Sequence, residues 1–203
     1  MGVKERKERQ KENLRQEILD AASEMFAVEG YANVSMRKIA ERIEYSPTTI
    51  YLYFKDKNDL LMQICEETFA MLYAKMQRIE KQSGSALDCL EKGIRAYIEF
   101  GLQHPNHYEV TFIAPLWNDM KTDEYKYEGS MGERTFGYLR SVVQAAIAEG
   151  SLKKGDLEAM SQTLWAGMHG VTSLLIGHSD FPFVSKNKLI KCLTETMIKG
   201  MKT

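Results

Sequence analysis

Between Ser46 and Lys57 the chain reads SPTTIYLYFKDK, a run of hydroxyls and aromatics with no charge before Lys55. On a helix, Ile50 and Phe54 lie four apart and share a face suited to a core. Thr48, Thr49, Leu52 and Tyr53 are then left pointing outward, with Tyr51 towards one edge. Threonine hydroxyls donate or accept at base edges, the methyl groups of threonine and Leu52 meet a thymine methyl, and tyrosine hydroxyls bond the phosphate backbone. The rival use of Tyr51 and Tyr53 is to seal the join between two helical layers. Neighbouring residues favour nucleic acid. Ser35 and Lys57 each open a helix, where backbone N–H groups attract phosphate, and Arg37 stands one turn further on, within reach of a phosphate or a guanine.

Other residue sets with chemical potential carry less. Cys65, Cys89 and Cys192 are odd in number and have no close pair, which argues against a disulfide framework and a Cys-rich zinc site and suits a reducing cytoplasm. His104 and His107 have a spacing that can hold a metal, but Pro105 between them marks a helix start, so no metal site is expected. Gly177-His178-Ser179-Asp180-Phe181 approaches a nucleophile elbow without its final glycine or a preceding strand. There is no P-loop, dinucleotide fingerprint or HExxH, so neither a catalytic residue nor a cofactor is expected. An all-helical enzyme and a protein-interaction module, each using a C-terminal pocket, stand as alternatives.

The elements that must position these groups are helices. Leu14, Ile18, Leu19, Ala22, Met25 and Phe26 form a 3.6-residue stripe ending at Gly30. Ser35 caps a short second helix, Ser46 with Pro47 opens a third, and Asp56 opens a fourth whose apolar stripe runs to about Ile79. Helix patterns follow at 85–103, 105–116, 130–149, 156–178 and 185–201, separated by Gly, Pro and polar breaks. The fold class is therefore all-α. An N-terminal helix-turn-helix unit, 1–56, precedes a C-terminal helical bundle, 57–203. The 203 residues, 44% of them hydrophobic, suffice for a real core, while a net charge of −1 means that any DNA affinity must be local. No run approaches the roughly 20 apolar residues of a membrane span, and the N-terminus lacks the apolar stretch of a secretory signal. Lys4, Arg6, Lys7, Arg9, Lys11 and Arg15 alternate with Glu5, Glu8, Glu12 and Glu17, a mixed-charge arm expected to be mainly a solvated extension.

The segment VSMRKIAERIEYSPTTIYLYFKDKNDLL, with ILDAASEMFAVEGYAN before it, resembles the DNA-binding segment of TetR-type (tetracycline-repressor-like) transcriptional regulators. The resemblance implies a homodimer whose recognition helices read a palindromic operator in double-stranded DNA. It also implies a C-terminal domain that binds a small molecule and releases the DNA, as a repressor would. By position it implies DNA contacts from Ser35, Arg37, Pro47, Thr48, Thr49, Tyr51, Tyr53 and Lys57. One departure is Glu44, at a turn position usually filled by glycine in the family. A left-handed backbone costs glutamate more, and its charge is unhelpful near phosphate.

In the C-terminal region Tyr97, Phe100, Tyr108, Phe112, Trp117, Tyr138, Trp165, Met168 and His169 are candidate linings of an effector site, each of them also a plausible packed core residue. LWAGMHGVTSLL places Trp165 and His169 on one helical face and resembles the tryptophan–histidine–glycine segment of a subgroup of the family's C-terminal domains. An apolar or aromatic effector is expected. Gly167 and Gly170 are points where another backbone can approach, and the last two helices are expected to supply the dimer contact.

Overall fold

The computed structural model describes residues 2–113 and 126–202, which include α-helices and no β-strand. By packing they group into two compact units: the described parts of Met1–Thr68 with Asn106–Lys126, and Phe69–Pro105 with the described part of Tyr127–Thr203. The helix that opens at Lys57 thus contributes residues to both.

In the first unit α1 (Val3–Glu29) is followed by a single 3-10 turn (Tyr31–Asn33), α2 (Met36–Arg42), α3 (Pro47–Tyr51) and the start of α4 (Lys57–Glu80). Helix α1 begins at Val3, so the mixed-charge arm is helical and the expectation of an extension is corrected. The physical reason is local. Lys, Arg, Glu and Gln are strong helix formers, no Gly or Pro interrupts Val3–Glu29, and opposite charges recur three or four residues apart. The core joins Ile18, Leu19 and Phe26 of α1 to Ile39 and Ala40 of α2, Ile50 and Phe54, and Leu60, Leu61 and Ile64 of α4. Arg15 fastens this arrangement: its guanidinium donates to Gln63 Oε1 at 2.9 Å and to Glu67, and lies 5.7 Å from the Phe54 ring centroid.

Helix α2 ends in a paired closure. The Glu44 amide donates to the Glu41 carbonyl at 3.3 Å and the Tyr45 amide to the Ala40 carbonyl at 2.9 Å, the two bonds of a Schellman motif, which needs a left-handed residue between them. Glu44 is that residue, with φ of 61°. The family-like turn therefore forms in spite of the glutamate, at a local cost. Replacing Glu44 by Gly should stabilise the protein by about 0.5–1 kcal/mol, because removing the Cβ penalty of roughly 1–2 kcal/mol outweighs glycine's greater unfolded-state entropy. Urea unfolding measures this, and an unchanged or lower midpoint would mean that the turn carries no strain.

Helix α6 (Pro105–Tyr108) passes directly into a π-helical turn (Glu109–Ile113). The expected 105–116 helix is thus wound unevenly, and its end lies outside the described residues. Val110 joins the first unit's core, and Tyr108 is wholly buried.

In the second unit α5 (Ala86–Gln103) packs against α7 (Met131–Ala148), α8 (Leu157–Gly177) and α9 (Lys186–Met201). Side chains of Ser85, Ser130 and Asp156 accept the first free amides of α5, α7 and α8, which is why these helices start where they do. At Gly167 of α8 a Cβ would stand 2.7 Å from Met197 of α9. The flexible end of Met197 fills the space beside Gly167 from within the chain and would have to shift to admit a Cβ. At Gly170 a Cβ would meet nothing within 4 Å. Among the described residues no helix is long and apolar enough to cross a membrane.

Candidate nucleic-acid interface and effector site

Helix α3 is short because it is determined from both ends. The Ser46 hydroxyl accepts the Thr49 amide at 3.2 Å, Pro47 occupies the first turn, and Leu52, still with helical dihedrals, is the C-cap after Tyr51. Ile50 and Phe54 are buried, as their spacing requires, and so the helix is rolled with Thr48, Tyr51 and Leu52 outward. Tyr51 is 55% exposed and Leu52 76% exposed. Two large, partly apolar side chains left uncovered on a small packed unit are what a groove-reading helix presents. Thr49 is half-buried, its hydroxyl 2.9 Å from Ser46 Oγ. Tyr53 is also half-buried and packs against the unit's core, which joins the sealing use to the outward one.

Ser35 caps α2, its Oγ accepting the Lys38 amide at 3.2 Å. Arg37 projects into solvent beside Glu41, with Nε 2.9 Å from Oε1. Such an exposed pair is weak enough to be exchanged for a phosphate. Lys57 behaves differently. Its Nζ donates to the carbonyls of Tyr31 and Val34, both at 2.8 Å, and stands 4.1 Å from the Tyr31 ring centroid. The start of α4 is also occupied: Asp56 Oδ1 accepts the Asp59 amide at 2.9 Å and Asp59 Oδ2 accepts the Lys55 amide at 2.8 Å.

The expected effector residues fall in different places. Tyr108 and Phe112 belong to the first unit, their rings 4.6 Å apart. Trp117 lies outside the described residues. In the second unit Trp165 Nε1 donates to the Tyr97 hydroxyl at 3.1 Å, and the rings of His169 and Phe136 each lie 6.1 Å from the Trp165 ring. These four side chains from α5, α7 and α8 form one amphipathic cluster, with Trp165 40% exposed. Burial holds the His169 imidazole below its usual range, which favours its neutral form. Phe136 escaped the sequence reading. Its position two residues before Tyr138 gives it no periodic signal of its own. Phe100 and Met168 are buried, Phe100 against the His104 ring at 4.9 Å. The Tyr138 hydroxyl donates to the Met76 carbonyl at 3.2 Å, and desolvation pushes its ionisation upward.

Two family models match this chain: the tetR family of bacterial regulatory proteins over residues 18–64, and the tetracyclin repressor-like C-terminal domain over residues 90–191. The protein belongs to the TetR family. It is a ligand-responsive, DNA-binding transcriptional regulator with an N-terminal helix-turn-helix. The fatty acid metabolism regulator protein of Bacillus subtilis (strain 168) is 25% identical over 190 residues, 91% of this chain and 94% of that protein. Among solved structures, a tetR-family regulator from Rhodococcus RHA1 superposes with a TM-score of 0.79 at 19% identity, covering 93% of this chain and 96% of that one. FadR from Bacillus subtilis in complex with stearoyl-CoA gives 0.78 at 23% identity, over 92% and 98% of the two chains. FadR from Bacillus halodurans, a fatty acid degradation regulator, gives 0.76 at 18% identity, over 91% and 94%.

Proposed function

We propose that this regulator is a cytoplasmic homodimeric repressor that leaves a palindromic operator when a long-chain fatty acyl-CoA binds its C-terminal domain. The observation that carries the DNA reading is the exposed Tyr51–Leu52 surface on α3, held out by the fully buried Ile50 and Phe54. Ser35, Arg37, Pro47, Thr48, Thr49, Tyr51 and Tyr53 are the contacts proposed from this chain. A dimer suits a helix-turn-helix of this size, because one copy reads too few base pairs. Helix α8 supports it: Gly167 is filled by its own chain, whereas Ala166 and Leu174 are exposed and Gly170 has room beside it.

The acyl-CoA class is suggested by the regulators of fatty acid metabolism to which the chain is similar along most of its length. The apolar rings of Phe136, Trp165 and Tyr97 suit an acyl chain, and His169 with the Trp165 indole supplies a polar edge. The effector acts only by binding better to a conformation with misplaced recognition helices. We assign the transmission to α4, which begins at the helix-turn-helix and continues into the second unit.

The experiment is fluorescence anisotropy on an operator selected from genomic fragments, with stearoyl-CoA, stearate or free coenzyme A added. Stearoyl-CoA should weaken binding by about tenfold or more, a coupling of about 1.4 kcal/mol or above, and coenzyme A should not. Operator binding untouched by stearoyl-CoA and stearate alike would reject this effector class while leaving DNA recognition standing.

A further inference from the structure

Lys55 and Lys57 flank one aspartate at the entrance to α4, and the fold turns them to different tasks. The Lys57 ammonium is enclosed by the Tyr31 carbonyl, the Val34 carbonyl and the face of the Tyr31 ring. An ammonium has three donors and one compact charge, so two carbonyls and a ring face together hold that charge against the protein. Tyr31 is held at its other end as well, because its hydroxyl donates to Asn58 Oδ1 on the residue next to Lys57. Val34 immediately precedes Ser35, the cap of α2. The Lys57 cage therefore sets where α2 begins relative to α4, and through it where Ser35 and Arg37 stand.

The α4 N-terminus is no open anion site either. The carboxylates of Asp56 and Asp59 already accept amides there, and both repel a phosphate. Lys55 is exposed on the surface directly after Phe54, at the end of the recognition segment. We infer that Lys57 is a positioning residue that clips the entry of α2 to α4, and that Lys55 supplies the lysine contact to the operator phosphates. This rests on the DNA-binding reading above, and wild-type binding in the same titration tests that reading separately.

The test measures operator affinity against salt for Lys55→Met, Lys57→Met, Lys55→Arg and Lys57→Arg in the full-length protein. Loss of one phosphate contact per subunit lowers the magnitude of the log–log salt slope by about two for a dimer. Lys55→Met should show that loss. Lys57→Met should lower affinity by about tenfold with the wild-type slope, since it displaces contacts without removing a phosphate partner. The arginine variants separate the roles again. Lys55→Arg should keep affinity, whereas Lys57→Arg should lose it despite the retained charge, because a planar guanidinium does not fit the ammonium cage. If Lys57→Met does not fold, the Lys57→Arg titration decides. A reduced slope for Lys57→Met, or full affinity for Lys57→Arg, would overturn the assignment of Lys57; an unchanged slope for Lys55→Met would overturn that of Lys55.

Discussion

Removing the Thr49 hydroxyl and the Tyr51 hydroxyl together, as Thr49→Ala with Tyr51→Phe, should weaken operator binding by about a thousandfold. Two hydrogen bonds per subunit make four per dimer, and at about 1 kcal/mol each they sum to about 4 kcal/mol. Tyr51 is 55% exposed, and its ring remains in the phenylalanine variant, so the helix itself should be unharmed. Thr49 is less simple. Its hydroxyl also lies 2.9 Å from Ser46 Oγ, so its loss loosens the cap of α3 slightly. Circular dichroism and sedimentation should therefore match the wild type while anisotropy on the operator does not. Affinity within about threefold of wild type, less than one such bond per subunit is worth, would remove both residues from the interface.

Phe54→Ala should have the largest effect on stability in the DNA-binding unit, about 3–5 kcal/mol. The ring is 1% exposed, sits among Ile18, Leu19, Ile50 and their neighbours, and carries the Arg15 guanidinium 5.7 Å from its centroid. Arg15 in turn bonds Gln63 and Glu67, so the truncation loosens the hold of α1 on α4 as well as opening a cavity. For a domain whose total stability is about 5–15 kcal/mol, that loss takes much of the margin. Thermal unfolding followed by far-ultraviolet circular dichroism measures it, with operator binding falling in parallel. A cost below about 1 kcal/mol would mean that the site collapses around the missing ring.

Much of the DNA-binding unit was legible in the residue order. Ser35, Ser46 with Pro47, and Asp56 name three helix starts, and the four-residue spacing of Ile50 and Phe54 names the buried side of α3. These signals are local, so a short window contains them. The N-terminal arm was misread because alternating charge describes a solvated coil and a solvated helix equally well, and the helix-forming propensities of Lys, Arg and Glu decide between them. Glu44 was legible as an irregularity, but only the paired bonds from Glu44 and Tyr45 show that the glycine-type turn forms.

The candidate effector residues lie far apart in the chain, so their spacing does not show which of them meet. Nine aromatic, histidine and methionine positions were candidates for one lining. The structure joins Tyr97, Trp165 and His169, adds Phe136, places Tyr108 and Phe112 in the other unit, and buries Phe100 and Met168.

By itself the sequence determined the all-helical class, the order and capping of the helices, and the helix-turn-helix with Ile50 and Phe54 turned to its core, because each depends on residues a few positions apart. Only the tertiary structure decided that Lys57 turns inward to carbonyls more than twenty positions earlier, that Gly167 makes room for Met197, and that Tyr97 meets Trp165. The physical reason is that helical periodicity says which residues share a face, whereas the partner of that face is chosen by packing between segments distant in the chain.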